Sequence, residues 1–309
     1  MVDGATLAFR EDVVALFPGQ GSIGGGAGVA WRTSSHWDVV ERVGAVTKVD
    51  VAALLLTASD VEVVRTDRAQ LATFALSLVG YYELVDLGVR PRYLLGHSLG
   101  EFSALVASGL LSLEEGARLI GVRGAAMARA ADAHEGSMVA LMGPDDGALE
   151  ALKSLDELWI ANVNGTGQIV VSGMRARLDD LVLRHRDLGW RRATPLNVGG
   201  AFHSPLMAPA QVEFDEALGH ATWRSTEALL ISNVDAQVHT EANEWCELLG
   251  RQLTSPVEFL DATLRLPESV RVSVEMPPGG VLSGLTKRIR TFDQQFAPAT
   301  LHELQEIAP

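Results

Sequence analysis

Ser98 sits in Gly96-His97-Ser98-Leu99-Gly100, a G-x-S-x-G pentapeptide that follows the apolar run Tyr93-Leu94-Leu95 and precedes a helical pattern. A sharp strand-to-helix turn places the central serine at a tip. Gly96 and Gly100 belong there because backbone approaches backbone with no room for a Cβ. The helix expected to begin at Leu99 points its free N–H groups and positive end at any oxyanion formed on a substrate bonded to Ser98. An alcohol is a weak nucleophile and needs a base within hydrogen-bond reach, in practice a histidine. Of eight histidines, His203 is the best placed. It lies in Gly199-Gly200-Ala201-Phe202-His203-Ser204-Pro205, a glycine-led loop of the kind that overhangs a cleft. His97 adjoins Ser98 but points elsewhere if Ser98 occupies the tip.

The elements that must position these groups follow from periodicity. Asp12 to Phe17 reads as a short apolar strand that breaks at Pro18-Gly19-Gln20-Gly21-Ser22, a turn-rich loop. Arg68 to Leu87 is helical, Arg92 to Leu95 a strand, and Glu101 to Ala131 helical around a break at Gly109, with one helix over Leu113 to Met127. Alternating helices and buried strands imply a parallel α/β sheet. From Gly136 the rhythm changes. Ser137–Met142, Glu157–Val163, Gln168–Ser172 and Trp190–Val198 read as strands, Asp145–Leu155 and Arg175–Leu188 as helices, and Asn164-Gly165-Thr166-Gly167 as a hairpin turn. The order βαββαβ is the ferredoxin-like pattern. The expected fold is therefore α/β, with a large domain over 1–134 and 199–309 and a small inserted domain over 135–198. After Val198 the chain returns to mixed helix and strand up to about Arg290, and Phe292 to Pro309 carries no strong periodicity.

With 309 residues, 47% of them hydrophobic, the chain can bury a large core. The longest apolar stretch, Leu71 to Leu84, is interrupted by Thr73, Ser77, Gly80 and Glu83 and falls short of the ~20 residues a membrane span needs. It reads as a buried helix. No basic segment followed by an apolar run opens the chain, and the single Cys246 cannot form an intramolecular disulfide, so a cytoplasmic location is expected. A formal charge of −14 argues against nucleic acid and anionic membrane surfaces as partners.

Six segments together carry a resemblance: Phe17-Pro18-Gly19-Gln20-Gly21-Ser22, Gly96-His97-Ser98-Leu99-Gly100-Glu101, Arg123-Gly124-Ala125-Ala126-Met127, Asn162-Val163-Asn164 with Gln168, Gly200-Ala201-Phe202-His203-Ser204, and Gly284-Leu285-Thr286-Lys287-Arg288-Ile289. In this order, over about residues 13–290, the chain resembles the malonyl-CoA:acyl carrier protein transacylase family, which includes the acyltransferases of polyketide synthases. The resemblance implies an α/β-hydrolase-like large domain with a ferredoxin-like small one. It implies ping-pong transfer in fatty acid, polyketide or related biosynthesis, with Ser98 as nucleophile and His203 as base and then acid. The oxyanion would be held by the backbone N–H groups of Gln20 and Leu99. The backbone carbonyl of Gln252, in place of an aspartate, would orient His203. Arg123 would pair with the free carboxylate of a malonyl group, where a guanidinium fork matches two oxygens as lysine cannot. Phe202 stands where malonyl-preferring members carry Phe and methylmalonyl-preferring ones Ser. His97, Gln70 and Met127 would border the substrate, and Asn162 and Asn164 would fix the hairpin and the cleft wall. No metal or permanently bound cofactor is implied, coenzyme A thioester being a substrate, and the partner is an acyl carrier protein.

The chain departs from the family pattern at Ile23-Gly24-Gly25-Gly26-Ala27-Gly28, at Leu71 in place of a common proline, and at Met276-Pro277-Pro278-Gly279-Gly280. These departures keep alternatives open: a discrete transferase for a bulkier acyl or aminoacyl group, or a serine hydrolase or editing thioesterase. Arg123 argues for a carboxylated acyl group, and retained Ser98 and His203 argue against a noncatalytic carrier-binding module. Carrier proteins are acidic, as this chain is, so docking needs cations gathered at the cleft. Arg184, Arg186, Arg191 and Arg192 from the small domain, and Lys287, Arg288 and Arg290 from the closing helix, are the candidates.

Overall fold

The computed structural model describes residues 7–307; residues 1–6 and 308–309, the outer ends of the expected large domain, lie outside the description. The chain runs β1 (Arg10–Phe17), α1 (Asp38–Thr47), α2 (Val51–Leu56), α3 (Asp60–Val63), α4 (Thr66–Asp86), β2 (Pro91–Gly96), α5 (Gly100–Ala107) and α6 (Leu113–Asp132). Next come β3 (Gly136–Pro144), α7 (Ala148–Lys153), β4 (Leu158–Gly165), β5 (Gln168–Met174), α8 (Arg175–Arg184) and β6 (Trp190–Pro195). It closes with α9 (Ala208–Gly219), β7 (Leu229–Ile231), β8 (Val238–His239), α10 (Ala242–Gln252), α11 (Phe259–Leu264), β9 (Val272–Glu275), α12 (Val281–Thr286), β10 (Gln294–Phe296) and α13 (Leu301–Gln305).

The larger sheet has the order β10-β9-β1-β2-β7-β8 and is parallel except for the β7–β8 pair. β1 is apolar from Val13 to Phe17 because it is central and covered on both faces. Val13, Ala15 and Phe17 enter one core, and Val14 and Leu16 enter another. The chain leaves β1 towards β2 on one side and returns to β9 on the other, so the order reverses at β1. Crevices beside the carboxyl ends of strands open at such a switch point. α4 carries the Leu71–Leu84 stretch and is buried almost throughout. Among the described residues no helix is long and apolar enough to cross a membrane.

The smaller sheet is antiparallel with the order β4-β5-β3-β6, the ferredoxin-like arrangement. Its strands alternate: Val139, Leu141, Ile169 and Val171 pack with residues of α7 and α8, while Met138, Ala140 and Val170 join the main core. β4 is also stitched to the segment after α10, Val257 N–H donating to Ala161 O at 2.8 Å and Val163 N–H to Val257 O at 2.9 Å.

Several boundaries differ from the expected ones. The helix expected at 145–155 starts only at Ala148, since Gly147 takes φ +86 and holds the turn before it. The helix and strand expected to run to 188 and 198 stop at Arg184 and Pro195. The tail that lacked periodicity holds β10 and α13. β10 has three residues, too few for a period, and its pairing with β9 is a contact made only in the folded chain.

Candidate active site

Register sets the site. Phe17 pairs with Gly96 and Leu95 with Ile231, so three loops leave the sheet side by side, carrying Gln20, Ser98 and Asn233. The elbow is as tight as its glycines suggest: a Cβ on Gly96 would run into the backbone N of Glu101, and one on Gly100 into the carbonyl of Phe17. α5 opens at Gly100, one residue later than expected. Ser98 itself has φ +53, a conformation costing a non-glycine residue about 1–3 kcal/mol. Asn233 holds it there, its Oδ1 accepting from Ser98 N–H at 2.6 Å and its Nδ2 donating to Gly96 O at 2.8 Å.

Ser98 Oγ lies 2.7 Å from His203 Nε2, and His203 Nδ1 lies 2.9 Å from the carbonyl oxygen of Gln252. A carbonyl can only accept, so the ring proton sits on Nδ1 and Nε2 presents a lone pair to the hydroxyl. His203 is buried, with φ +56. Burial, and next the positive charge of Arg123, push its pKa down to about 3, so the ring is neutral at pH 7 and able to take a proton.

Arg123 lies behind Ser98, on α6, and is 1% exposed. Nη2 donates to Ser98 Oγ at 3.1 Å and to Gln252 Oε1 at 2.7 Å, and Nη1 to Gln70 Oε1 at 2.6 Å. Phe102 lies under the guanidinium, 5.5 Å from its centre. Nε has no partner among the described residues. Burial lowers the Arg123 pKa to about 10 while Glu101 opposes it, and the group stays charged at neutral pH. α6 is anchored upstream by Ser112, whose Oγ accepts from Glu115 N–H at 3.1 Å, a cap worth about 1 kcal/mol.

A cavity of about 130 Å³ opens on Ser98 and His203, walled by Gln20, His97, Met127, Met138, Asn162 and Phe202 among others. Leu99 has a buried side chain and does not line it; only its backbone faces the elbow. Among the described residues the backbone N–H groups of Gln20 and Leu99 have no hydrogen-bond acceptor. His97 lines the cavity, where the resemblance places it, although its ring also turns from Ser98 towards the small sheet. Its Nε2 lies 2.9 Å from Asn164 Oδ1, tying the elbow to the small sheet, and burial lowers its pKa. Gln70 does not reach the cavity. It is fully buried and bonded to Arg123, Thr66 and Met127. Phe202 is 3% exposed, its carbonyl held by Ser172 Oγ. Its other side borders a second cavity of about 420 Å³ between α4, α6 and the 197–202 loop.

The departures from the family pattern are packed segments. Gly25 N–H donates to Asp60 Oδ1 at 2.7 Å and Gly28 N–H to Leu55 O at 2.9 Å, which pins the glycine-rich rim on α2 and α3. Pro277 packs on Gly80, and its carbonyl accepts from Ser77 Oγ at 2.6 Å.

The cations divide. Arg192 pairs with Met142 across β6–β3, on the face of Met138 and Ala140, is exposed, and donates from Nε to Thr194 Oγ1 at 3.1 Å. Met142 also borders the small cavity that holds Arg288, which bonds Gln168 Oε1 at 3.3 Å. Arg191 is one residue away along a strand and reaches past Gly143 instead. Lys287 follows the end of α12 and is exposed. Two expected cations are otherwise engaged: Arg184 pairs with Asp180 at 3.0 Å, and Arg290 donates to the carbonyls of Leu266, Pro267 and Val270.

Sequence reasoning missed Glu101, Asn233 and the side chain of Gln252. Glu101 was in the quoted elbow motif, but nothing in one sequence says that a charged residue on an α-helix is 2% exposed.

An α/β-hydrolase-like sheet with an inserted ferredoxin-like unit, presenting an elbow serine to a neutral imidazole, defines the class as enzymes that carry acyl groups on serine. Residues 14–304 match the acyl transferase domain family. A malonyl CoA-acyl carrier protein transacylase of Bacillus subtilis (strain 168) is 35% identical over 285 residues, 90% of each chain. The crystal structure of the transacylase of Mycobacterium tuberculosis superimposes with a TM-score of 0.89 at 34% identity, covering 96% of this chain and 99% of that one. A malonyl-transacylase solved in complex with its type II polyketide synthase acyl-carrier protein gives 0.90 at 28% identity, covering 96% and 99%. The chain belongs to the malonyl CoA-acyl carrier protein transacylase family, and it is an acyltransferase.

Proposed function

We propose that this enzyme moves a malonyl group from coenzyme A to the phosphopantetheine thiol of an acyl carrier protein through an ester on Ser98. In the first half-reaction Ser98 Oγ attacks the thioester carbon, His203 Nε2 takes the hydroxyl proton, the carbon–sulfur bond breaks, and the proton passes to the leaving thiolate. The second half-reaction is the reverse with the carrier thiol. The backbone N–H groups of Gln20 and Leu99 receive the oxyanion. Arg123 exchanges the Ser98 hydroxyl, which acylation removes as a free group, for the malonyl carboxylate. Phe202 and Met127 bound the acyl group. His97, Asn162 and Asn164 keep the small sheet, residues 135–198, against the catalytic part, residues 1–134 and 199–309. Arg192 and Arg288 are the central cations of the carrier dock, with Arg191 and Lys287 at its edge. The cytoplasm, where coenzyme A thioesters and carrier proteins meet, is the proposed site of action.

The observation that carries this reading is the convergence on one oxygen: Ser98 Oγ is 2.7 Å from a neutral imidazole nitrogen and 3.1 Å from a buried guanidinium. The first contact serves any enzyme that acylates a serine; the second sets a cation where a carboxylated acyl group on Ser98 would meet it. A cavity of about 130 Å³ favours a short acyl group over a bulky or aminoacyl one. The test is intact-protein mass spectrometry after incubation with acetyl-, malonyl-, methylmalonyl- and longer acyl-CoA. A malonyl mass is expected on the parent and on no Ser98→Ala protein. A stable adduct of another acyl group only, or none, would overturn the reading.

A further inference from the structure

The amide of Gln252 is surrounded by groups that allow it one orientation. Its Oε1 faces Arg123 Nη2 at 2.7 Å, which can only donate, so Nε2 must be the donor on the other side. There it meets Ser98 O at 3.0 Å and a Glu101 oxygen. The second Glu101 oxygen accepts from Asn233 N–H at 2.6 Å. Both oxygens of Glu101 thus face donors, the pattern that an ionised carboxylate fits. Protonation weakens one of these acceptors, and an amide at 101 sets its NH2 against a donor. Gln252, Arg123, Glu101 and Asn233 are each at most 2% exposed, so water cannot repair a mismatch among them.

We propose that Glu101 is a positioning residue for malonyl transfer. As an anion it fixes the orientation of the Gln252 amide, and through this amide it holds the Arg123 guanidinium where a carboxylate on Ser98 meets it. Flipping the amide would turn its NH2 towards Arg123, donor against donor, and the guanidinium would shift. The role rests on the malonyl reading above. Besides Arg123, the charged or titratable groups nearest Glu101 are Asp235, after β7, and His203, across Gln252. Burial pushes the Glu101 carboxyl up to about 7, the Asn233, Gln252 and Arg123 contacts pulling it back, so the device is expected to engage as pH rises through neutrality.

Glu101→Gln tests it, because charge and position act in opposite directions. Removing an anion near Arg123 would by itself strengthen the hold on malonyl. Losing the fixed amide weakens it. The readout is kcat/KM for loading from malonyl-CoA divided by that from acetyl-CoA, per folded enzyme counted by acetyl labelling. The ratio is expected to fall about tenfold, the scale of a lost hydrogen bond to a charged group, while acetyl loading falls less than about threefold. In the parent the same ratio is expected to rise between pH 6 and 8, a measurement that stands even where the variant fails to fold. A ratio that rises or stays level in Glu101→Gln, or a parent ratio flat or falling with pH, overturns the proposal. A parent that loads no malonyl at any pH overturns the functional reading instead.

Discussion

Arg123→Ala separates substrates that this site should treat differently. In the parent the guanidinium is 1% exposed, bonded to Gln70, Gln252 and Ser98, with Nε unpartnered among the described residues. On the proposed reading the carboxylate of a malonyl ester meets Arg123 out of water, and without Arg123 it would be a buried charge with no partner. That situation costs about 2–5 kcal/mol, or roughly 30- to 5,000-fold in malonyl kcat/KM. Acetyl carries no charge and should be spared. The substitution also strands the amide oxygens of Gln70 and Gln252, at about 1–3 kcal/mol each, partly offset by removing a desolvated cation. Stability should therefore fall, and rates must be counted per folded molecule. The assay is loading of Ser98 from malonyl-CoA and acetyl-CoA, read as a ratio. Arg123→Lys should restore little, since one ammonium cannot span Gln70, Gln252 and a carboxylate together. A ratio unchanged in Arg123→Ala would refute the assignment of the carboxylate to this guanidinium.

Three further outcomes follow from the same geometry. The His203 ring, held near 3 by burial and by Arg123, should show no NMR titration between pH 8 and 5. Because the unfolded imidazole binds its proton near 6.5, stability should be lost as pH falls through that window, less so in His203→Ala; a His203 midpoint near 6.5 would contradict the assigned environment. Phe202→Ser should join the cavities of about 130 and 420 Å³ and narrow the gap between malonyl and methylmalonyl by ~1–3 kcal/mol in kcat/KM, and an unshifted gap would mean other residues meet the methyl. Reversing Arg192 and Arg288 to Glu should slow transfer to the carrier protein and reduce its salt dependence, with loading from malonyl-CoA nearly unchanged; equal transfer rates across a salt series would remove both from the dock.

The elbow and the loop at 203 were legible because each is a local solution to a local problem. Gly96 and Gly100 stand where backbone meets backbone, and a serine between them on a strand-to-helix turn has one use. The βαββαβ rhythm of the small sheet was legible too, since each strand alternates against its own helices. The ends of those elements were less so, because capping turns such as the one at Gly147 depend on single residues whose conformation is selected by neighbours.

What the sequence by itself determined is the set of chemical groups, the local turns that present them and the alternation that makes an α/β fold. What only the tertiary structure decided is which of those groups share a site. Gln20, Ser98 and Asn233 meet because β1, β2 and β7 lie side by side in register. Glu101 and Arg123, with Gln252 from 129 residues beyond Arg123, become one buried network because burial strips them of water and leaves each other as their partners. The same selection sent Arg184 and Arg290 to structural tasks and set Arg192 on the face of β6 opposite Met142. Side-chain charge is written in the chain, but its solvation is a property of the packed molecule, and solvation decides whether a charge stabilises, binds or reacts.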